Sequence, residues 1–151
     1  MSEQQVKRIL TLDSNVFISA LKSDEPYSRK CAQIIELVPN RFLLAEPSVV
    51  YQEVCGTLAR RAGSSAAQAA REQLDRMIDS KLLSTCDKDF CLASYLLCSQ
   101  FKIYAIDALY LWTAISTRST FVSLDREDLT EKVESNPQLE IEVYHVSDFP
   151  L

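Results

Sequence analysis

Apolar and polar positions follow one another along this chain in short blocks whose period switches between about two and 3.6 residues. Residues 7–13, KRILTLD, form an apolar run rich in β-formers that ends in an acid, which predicts a buried first strand. Ser14 and Asn15 are placed to cap a short apolar helix through Val16, Phe17, Ile18, Ala20 and Leu21, interrupted at residues 23–26, SDEP. Cys31, Ile34, Ile35 and Val38 recur at helical spacing, so an amphipathic helix is expected from Tyr27 up to the stop at Pro39-Asn40.

Residues 41–45 predict a second strand. Pro47 then opens a helix whose buried stripe is Val50, Val54 and Leu58, with Gly63 at its end. The alanine-rich residues 64–80 predict another helix, with Arg71, Glu72, Asp75 and Arg76 on its solvated face. Residues 81–85 read as a short strand, and Phe90, Ala93, Ser94, Leu97 and Phe101 as a single further helix. Asp107 opens a helix, ALYLWTAIST, that is apolar on most sides, and residues 119–124 form a strand ending at Asp125. The alternation Ile141, Val143, His145 predicts a terminal strand. Strands and helices in this order predict one domain over residues 1–151: a three-layer α/β/α sandwich with a mainly parallel sheet covered on both faces.

Two of the predicted strands hand over to an aspartate, Asp13 and Asp125. In parallel α/β sheets ligands bind in the crevice outside the carboxyl ends of the strands, where both fall. Glu53 lies on the edge of its helix's apolar stripe, between Val50 and Val54, a costly place for an unpaired charge. With Asp107 at a helix start, four carboxylates can converge. Such a cluster repels itself and is reasonable only around cations, and hard oxygen donors select Mg²⁺ or Mn²⁺. Two such ions can activate water and stabilise a leaving oxygen on a phosphodiester, with no histidine required.

Composition narrows the choice. The net charge of −5 gives no bulk basic footprint for nucleic acid, while the acid excess suits a cation site or a solvated surface equally well. His145 is the chain's one histidine, and no Gly-x-Ser-x-Gly elbow accompanies it, so histidine-dependent nucleophilic catalysis is disfavoured. Cys31, Cys55, Cys86, Cys91 and Cys98 form no Cys-x-x-Cys pair and read as buried cytosolic thiols. No leader-like segment or membrane-length apolar run occurs, so a cytoplasmic protein is expected.

The ordered set is more specific than its parts. LDSN, PSVVYQEV, IDALYLWTA and VSLD resemble, in order and local context, the four motifs of the PIN domain family. Within that family the chain is most similar to VapC-type toxin ribonucleases of toxin–antitoxin pairs. The resemblance implies a Mg²⁺- or Mn²⁺-dependent endoribonuclease with Asp13, Glu53, Asp107 and Asp125 as metal-binding and catalytic acids. It implies supporting roles for Asn15 and Ser123, the latter where the family often has threonine, and Asp128 resembles an additional acid of some members. Its implied partners are an RNA substrate, an antitoxin and a second copy of the chain, with Tyr95, Leu96, Tyr110 and Trp112 as apolar residues beyond what one small core needs.

Arg60, Arg61 and Arg126 are the nearest cations in sequence for phosphate contact, although Arg60 and Arg61 also suit the C-terminal end of a helix dipole. The helix after Asp107 departs from the family, which usually has small residues where this chain has Leu109, Tyr110, Leu111 and Trp112. That departure leaves room for a non-catalytic PIN-like interaction protein. A haloacid-dehalogenase-like phosphatase also starts with a strand ending in aspartate, but Asn15 stands where its second acid belongs.

Overall fold

The structure is a computed structural model that describes residues 6–151; residues 1–5 of the expected domain lie outside them. The chain runs β1 (Arg8–Leu12), α1 (Ser14–Ala20), α2 (Ser28–Ile35), β2 (Phe42–Pro47), α3 (Val49–Ala62), α4 (Ser64–Met77) and β3 (Ile78–Ser84). It continues through α5 (Lys88–Ser94), α6 (Leu96–Phe101), α7 (Ala105–Thr117), β4 (Thr120–Ser123), a π-helical turn (Arg126–Thr130), α8 (Glu131–Glu134) and β5 (Val143–His145). A 3₁₀ turn, Val146–Asp148, follows β5.

The five strands form one parallel sheet in the order β3-β2-β1-β4-β5. From β1 the chain builds outward through β2 to β3, then returns to place β4 on the other side of β1. Strand order therefore reverses between β1 and β4, the switch point at which such sheets open a crevice. Leu10 pairs with both Leu44 and Thr120, which sets the three central strands in register with their C-terminal ends together.

A sheet covered on both faces demands apolar strands. Leu10, Leu12, Leu44, Phe121 and Val122 are fully buried, and α7 contributes Ala108, Tyr110, Leu111 and Ala114 to the same core. Gly63 ends α3 with φ of 94°, a conformation that costs glycine little, and lets α4 fold straight back on α3.

Several boundaries differ from the expectation. The second strand runs two residues further, through Glu46 and Pro47, and the helix begins at Val49 rather than at Pro47. Proline fits the last strand position, where the following Ser48 amide makes the bond to Ser84. The alanine-rich helix stops at Met77, three residues early, because Ile78 is drawn into the sheet as the start of β3. The helix expected across residues 90–101 is two, α5 and α6, broken at Tyr95. The helix expected to open at Asp107 begins at Ala105 and carries Asp107 in its first turn. Among the cysteines Cys31 is buried, Cys55, Cys86 and Cys98 are half-buried, and Cys91 is exposed, so the expected burial holds in full only for Cys31.

Candidate functional site

Each acid is delivered by an element end. Asp13 follows β1 and occupies the N-cap position of α1, Asp125 follows β4 by two residues, Asp107 sits in the first turn of α7, and Glu53 is on the second turn of α3. Their side chains are near enough to repel one another. Burial, then the charges of Asp107 and Glu53, push Asp13 up to about 7. Burial, then Asp125, Glu53 and Asp128, push Asp107 up to about 6. Asp107 is thus the acid felt from both sides of the cluster.

The switch between β1 and β4 is tied by side chains. Ser123 Oγ donates to Asp13 Oδ2 at 2.8 Å, and Asn15 Nδ2 donates to the same oxygen and to Ser123 Oγ at 3.3 Å each. Asn15 Oδ1 accepts from the Leu124 amide at 3.1 Å, and Ser123 Oγ from the Asp125 amide at 3.0 Å. Ser14 and Asn15, expected to cap α1, do not: Ser14 is the first helical residue and Asn15 bridges the two strands instead. Asp125 itself caps the π-helical turn, accepting from the Asp128 amide at 3.1 Å. Asp128 is exposed but close enough to raise Asp107.

One acid escaped the sequence reading. Glu46 is fully buried at the end of β2, with Oε1 accepting from the Leu12 amide at 2.8 Å and Oε2 without a partner. Burial raises it well above the ordinary carboxylate range, and the charges of Asp13 and Glu53 add to the shift. Glu53 Oε1 and the Tyr110 hydroxyl are likewise buried without partners. An unpaired buried polar atom costs about 1–3 kcal/mol, so three of them around one point mark a place built for something other than packing. The sequence signal was available: Glu46 directly follows the apolar run 42–45, as Asp13 follows the run of β1.

The arginines divide. Arg126 is engaged at the C-terminus, its guanidinium reaching Ser147 Oγ at 2.8 Å and Asp148 Oδ2 at 3.3 Å. Arg60 and Arg61 are exposed in the last turn of α3, about 10–12 Å along the axis from Glu53 at 1.5 Å per residue. His145 is a strut: Nδ1 accepts from the Ser147 amide at 3.1 Å, which leaves Nε2–H to donate to the Leu124 carbonyl at 3.1 Å. Burial and Arg126 lower its pKa, so it holds the Leu124 backbone as a neutral ring. Tyr110, counted among the surplus apolar residues, is core, and Trp112 is half-buried against the core. Tyr95 and Leu96 are exposed, as are Leu92, Tyr104 and Ile106.

These donors suit a divalent cation in kind: they are hard carboxylate oxygens held near one another against their own repulsion. They are not collected to a point, since among the described residues no three His, Cys, Asp or Glu side chains stand close enough to hold one ion. A groove of about 980 Å³ beside Leu97, Phe101, Trp112 and Ile115 contains none of the acids, so the site is defined by its chemistry and not by the size of a cavity.

A parallel sheet that reverses its strand order at β1 and β4, with carboxylates gathered outside the strand ends, defines an α/β domain with a carboxylate-centred site. The PIN domain profile matches residues 10–134, and the chain belongs to the PIN domain family. No curated protein matches the sequence. Among solved structures, the chain is similar to VapBC2 from Rickettsia felis bound to a DNA fragment from its promoter, with a TM-score of 0.63 and 17% identity over 91% of this chain and 98% of that one. It is similar to a toxin–antitoxin complex from Klebsiella pneumoniae, with a TM-score of 0.61 and 22% identity over 79% and 88%. It is also similar to VapC20 of Mycobacterium tuberculosis, a sarcin-ricin-loop-cleaving toxin, with a TM-score of 0.64 and 14% identity over 78% and 91%. At these identities the likeness establishes the shared fold.

Proposed function

We propose that this chain is a Mg²⁺- or Mn²⁺-dependent endoribonuclease that hydrolyses RNA phosphodiester bonds, and that it is the toxin of a toxin–antitoxin pair. The observation that supports this most is the gathering of Asp13, Glu53, Asp107 and Asp125 at the switch point of a PIN domain's sheet. A divalent cation held by these acids would supply Lewis acidity for activating water and offsetting charge on the phosphodiester. The chain's own work is to hold the acids: Asn15 and Ser123 fix Asp13 and the backbone of Asp125, while α7 and α3 bring in Asp107 and Glu53. The similar structures from K. pneumoniae and M. tuberculosis, a toxin–antitoxin complex and a sarcin-ricin-loop-cleaving toxin, favour an antitoxin partner and an RNA substrate. Exposed Leu92, Tyr95, Leu96, Tyr104 and Ile106 give such a partner, or a second copy, an apolar surface to cover. No helix among the described residues is long and apolar enough to cross a membrane.

The test is incubation of the purified protein with single-stranded and hairpin RNAs in Mg²⁺ or Mn²⁺, and again with chelator. Cleavage that needs the metal is expected; cleavage that survives chelation, or none on any RNA, overturns the reading. With Arg60 and Arg61 as phosphate contacts, their joint replacement by alanine weakens RNA binding at low salt. Each contact to a single strand contributes about 0.7 to the slope of log affinity against log salt, so the slope is expected to fall by about 1.4. Unchanged slopes in a filter-binding titration would remove both arginines from the substrate path.

A further inference from the structure

Tyr110 is one helical turn beyond Asp107 on α7, so both side chains leave the same face of the helix toward the sheet. Its ring belongs to the core, where phenylalanine would serve as well. Its hydroxyl is the anomaly, for it is buried without a hydrogen bond at a point where the neighbouring groups are Glu46, Glu53 and Asp13. Those three are acceptors when charged, and a phenol brings a proton donor among them. Glu46 is locked by Oε1 to the Leu12 amide, leaving its free Oε2 to the same interior. The hydroxyl faces the Glu53 carboxylate without meeting hydrogen-bond geometry, and Glu53 Oε1 has no other partner.

The cluster is therefore secured unevenly. Asp13 is held by Ser123 and Asn15 on the β4 side, whereas Glu53 has an unpartnered buried oxygen on the side where Tyr110 waits. We propose that Tyr110 is a positioning residue: its hydroxyl takes one oxygen of Glu53 when a divalent cation draws the acids together, and so fixes the other oxygen for the cation. The inference rests on the acids being cation ligands. Glu46 is pinned to the end of β1 through Oε1 and so is not free to take the place of Glu53.

The experiment is calorimetric titration of the metal-free full chain with Mn²⁺, for wild type, Tyr110→Phe and Leu111→Ala, with melting of each metal-free protein by circular dichroism. Partners that orient metal ligands typically contribute 10–100-fold to metal affinity. Tyr110→Phe is expected to stay folded, since it loses one unpartnered oxygen, and to bind Mn²⁺ about 10–100-fold more weakly. Leu111→Ala, a buried neighbour on the same helix, is expected to melt earlier with its Mn²⁺ affinity kept. Equal Mn²⁺ affinity in wild type and Tyr110→Phe overturns the proposal, as does equal weakening in both variants, which would make packing the cause. A Tyr110→Phe protein that fails to fold overturns it too, because the hydroxyl would then serve the fold. Absence of Mn²⁺ binding in the wild type is the distinct result that removes the cation reading itself.

Discussion

An Asp107→Asn protein is expected to keep its fold and lose metal-dependent RNA cleavage by at least about 100-fold, since even residues that only orient metal ligands are worth 10–100-fold. Asp107 is the most informative position because its charge is felt by Asp13 on one side, while Asp125 and Asp128 act on it from the other. Asparagine keeps the shape and removes the anion. The loss of a favourable helix N-terminal charge costs about 0.3–1 kcal/mol, and relief of repulsion from Asp125, Glu53 and Asp128 works in the opposite direction. Unfolding therefore does not account for the lost activity. Cleavage assays on matched, folded samples decide it: equal activity in the variant would place the chemistry elsewhere or trace it to a contaminant.

Asp107 was legible in the sequence because it opens an apolar helix, and Asp13 and Asp125 because each follows an apolar run. Parallel strands read as such because they alternate with helices, and the crevice outside their carboxyl ends follows from that; the strand order β3-β2-β1-β4-β5, which makes the gap between β1 and β4 the switch point, is set by long-range pairing that no local pattern carries. Glu46 is masked by Pro47, which reads as a helix opener and so ends the expected strand at Ala45, two residues short, with the acid in the turn; the strand-then-acid pattern that marks Asp13 is nonetheless present there. The break at Tyr95 was hidden because α5 and α6 keep apolar residues at helical spacing across it. The surroundings of the Tyr110 hydroxyl and the destination of the Arg126 guanidinium depend on groups 57 and 22 residues away in sequence, Glu53 and Asp148, and no local pattern encodes those.

The same repulsion that makes the acids a cation site predicts how the metal-free protein responds to pH. Asp13 ionises at about 7 in the folded chain against an ordinary 3.8, chiefly because it is buried, so between those values the folded form holds a proton that the unfolded form has released. Stability therefore falls as pH rises through that window: the penalty is absent below about 3.8, grows by about 1.4 kcal/mol per pH unit, and approaches about 4 kcal/mol above 7. Asp13→Asn removes it. The asparagine oxygen can still accept from Ser123 and Asn15, both of which donate to the single oxygen Oδ2, and the neutral amide no longer repels the nearby Glu46 and Glu53. Urea unfolding in chelator should show the variant more stable than wild type by up to about 4 kcal/mol at pH 8, with the two converging near pH 4. Added Mg²⁺ should stabilise wild type and leave the variant nearly unmoved, because a ligand that binds only the folded state raises stability in proportion to its affinity. A stability difference that stays constant from pH 4 to 8 would show that packing, and not the buried charge, separates the two proteins.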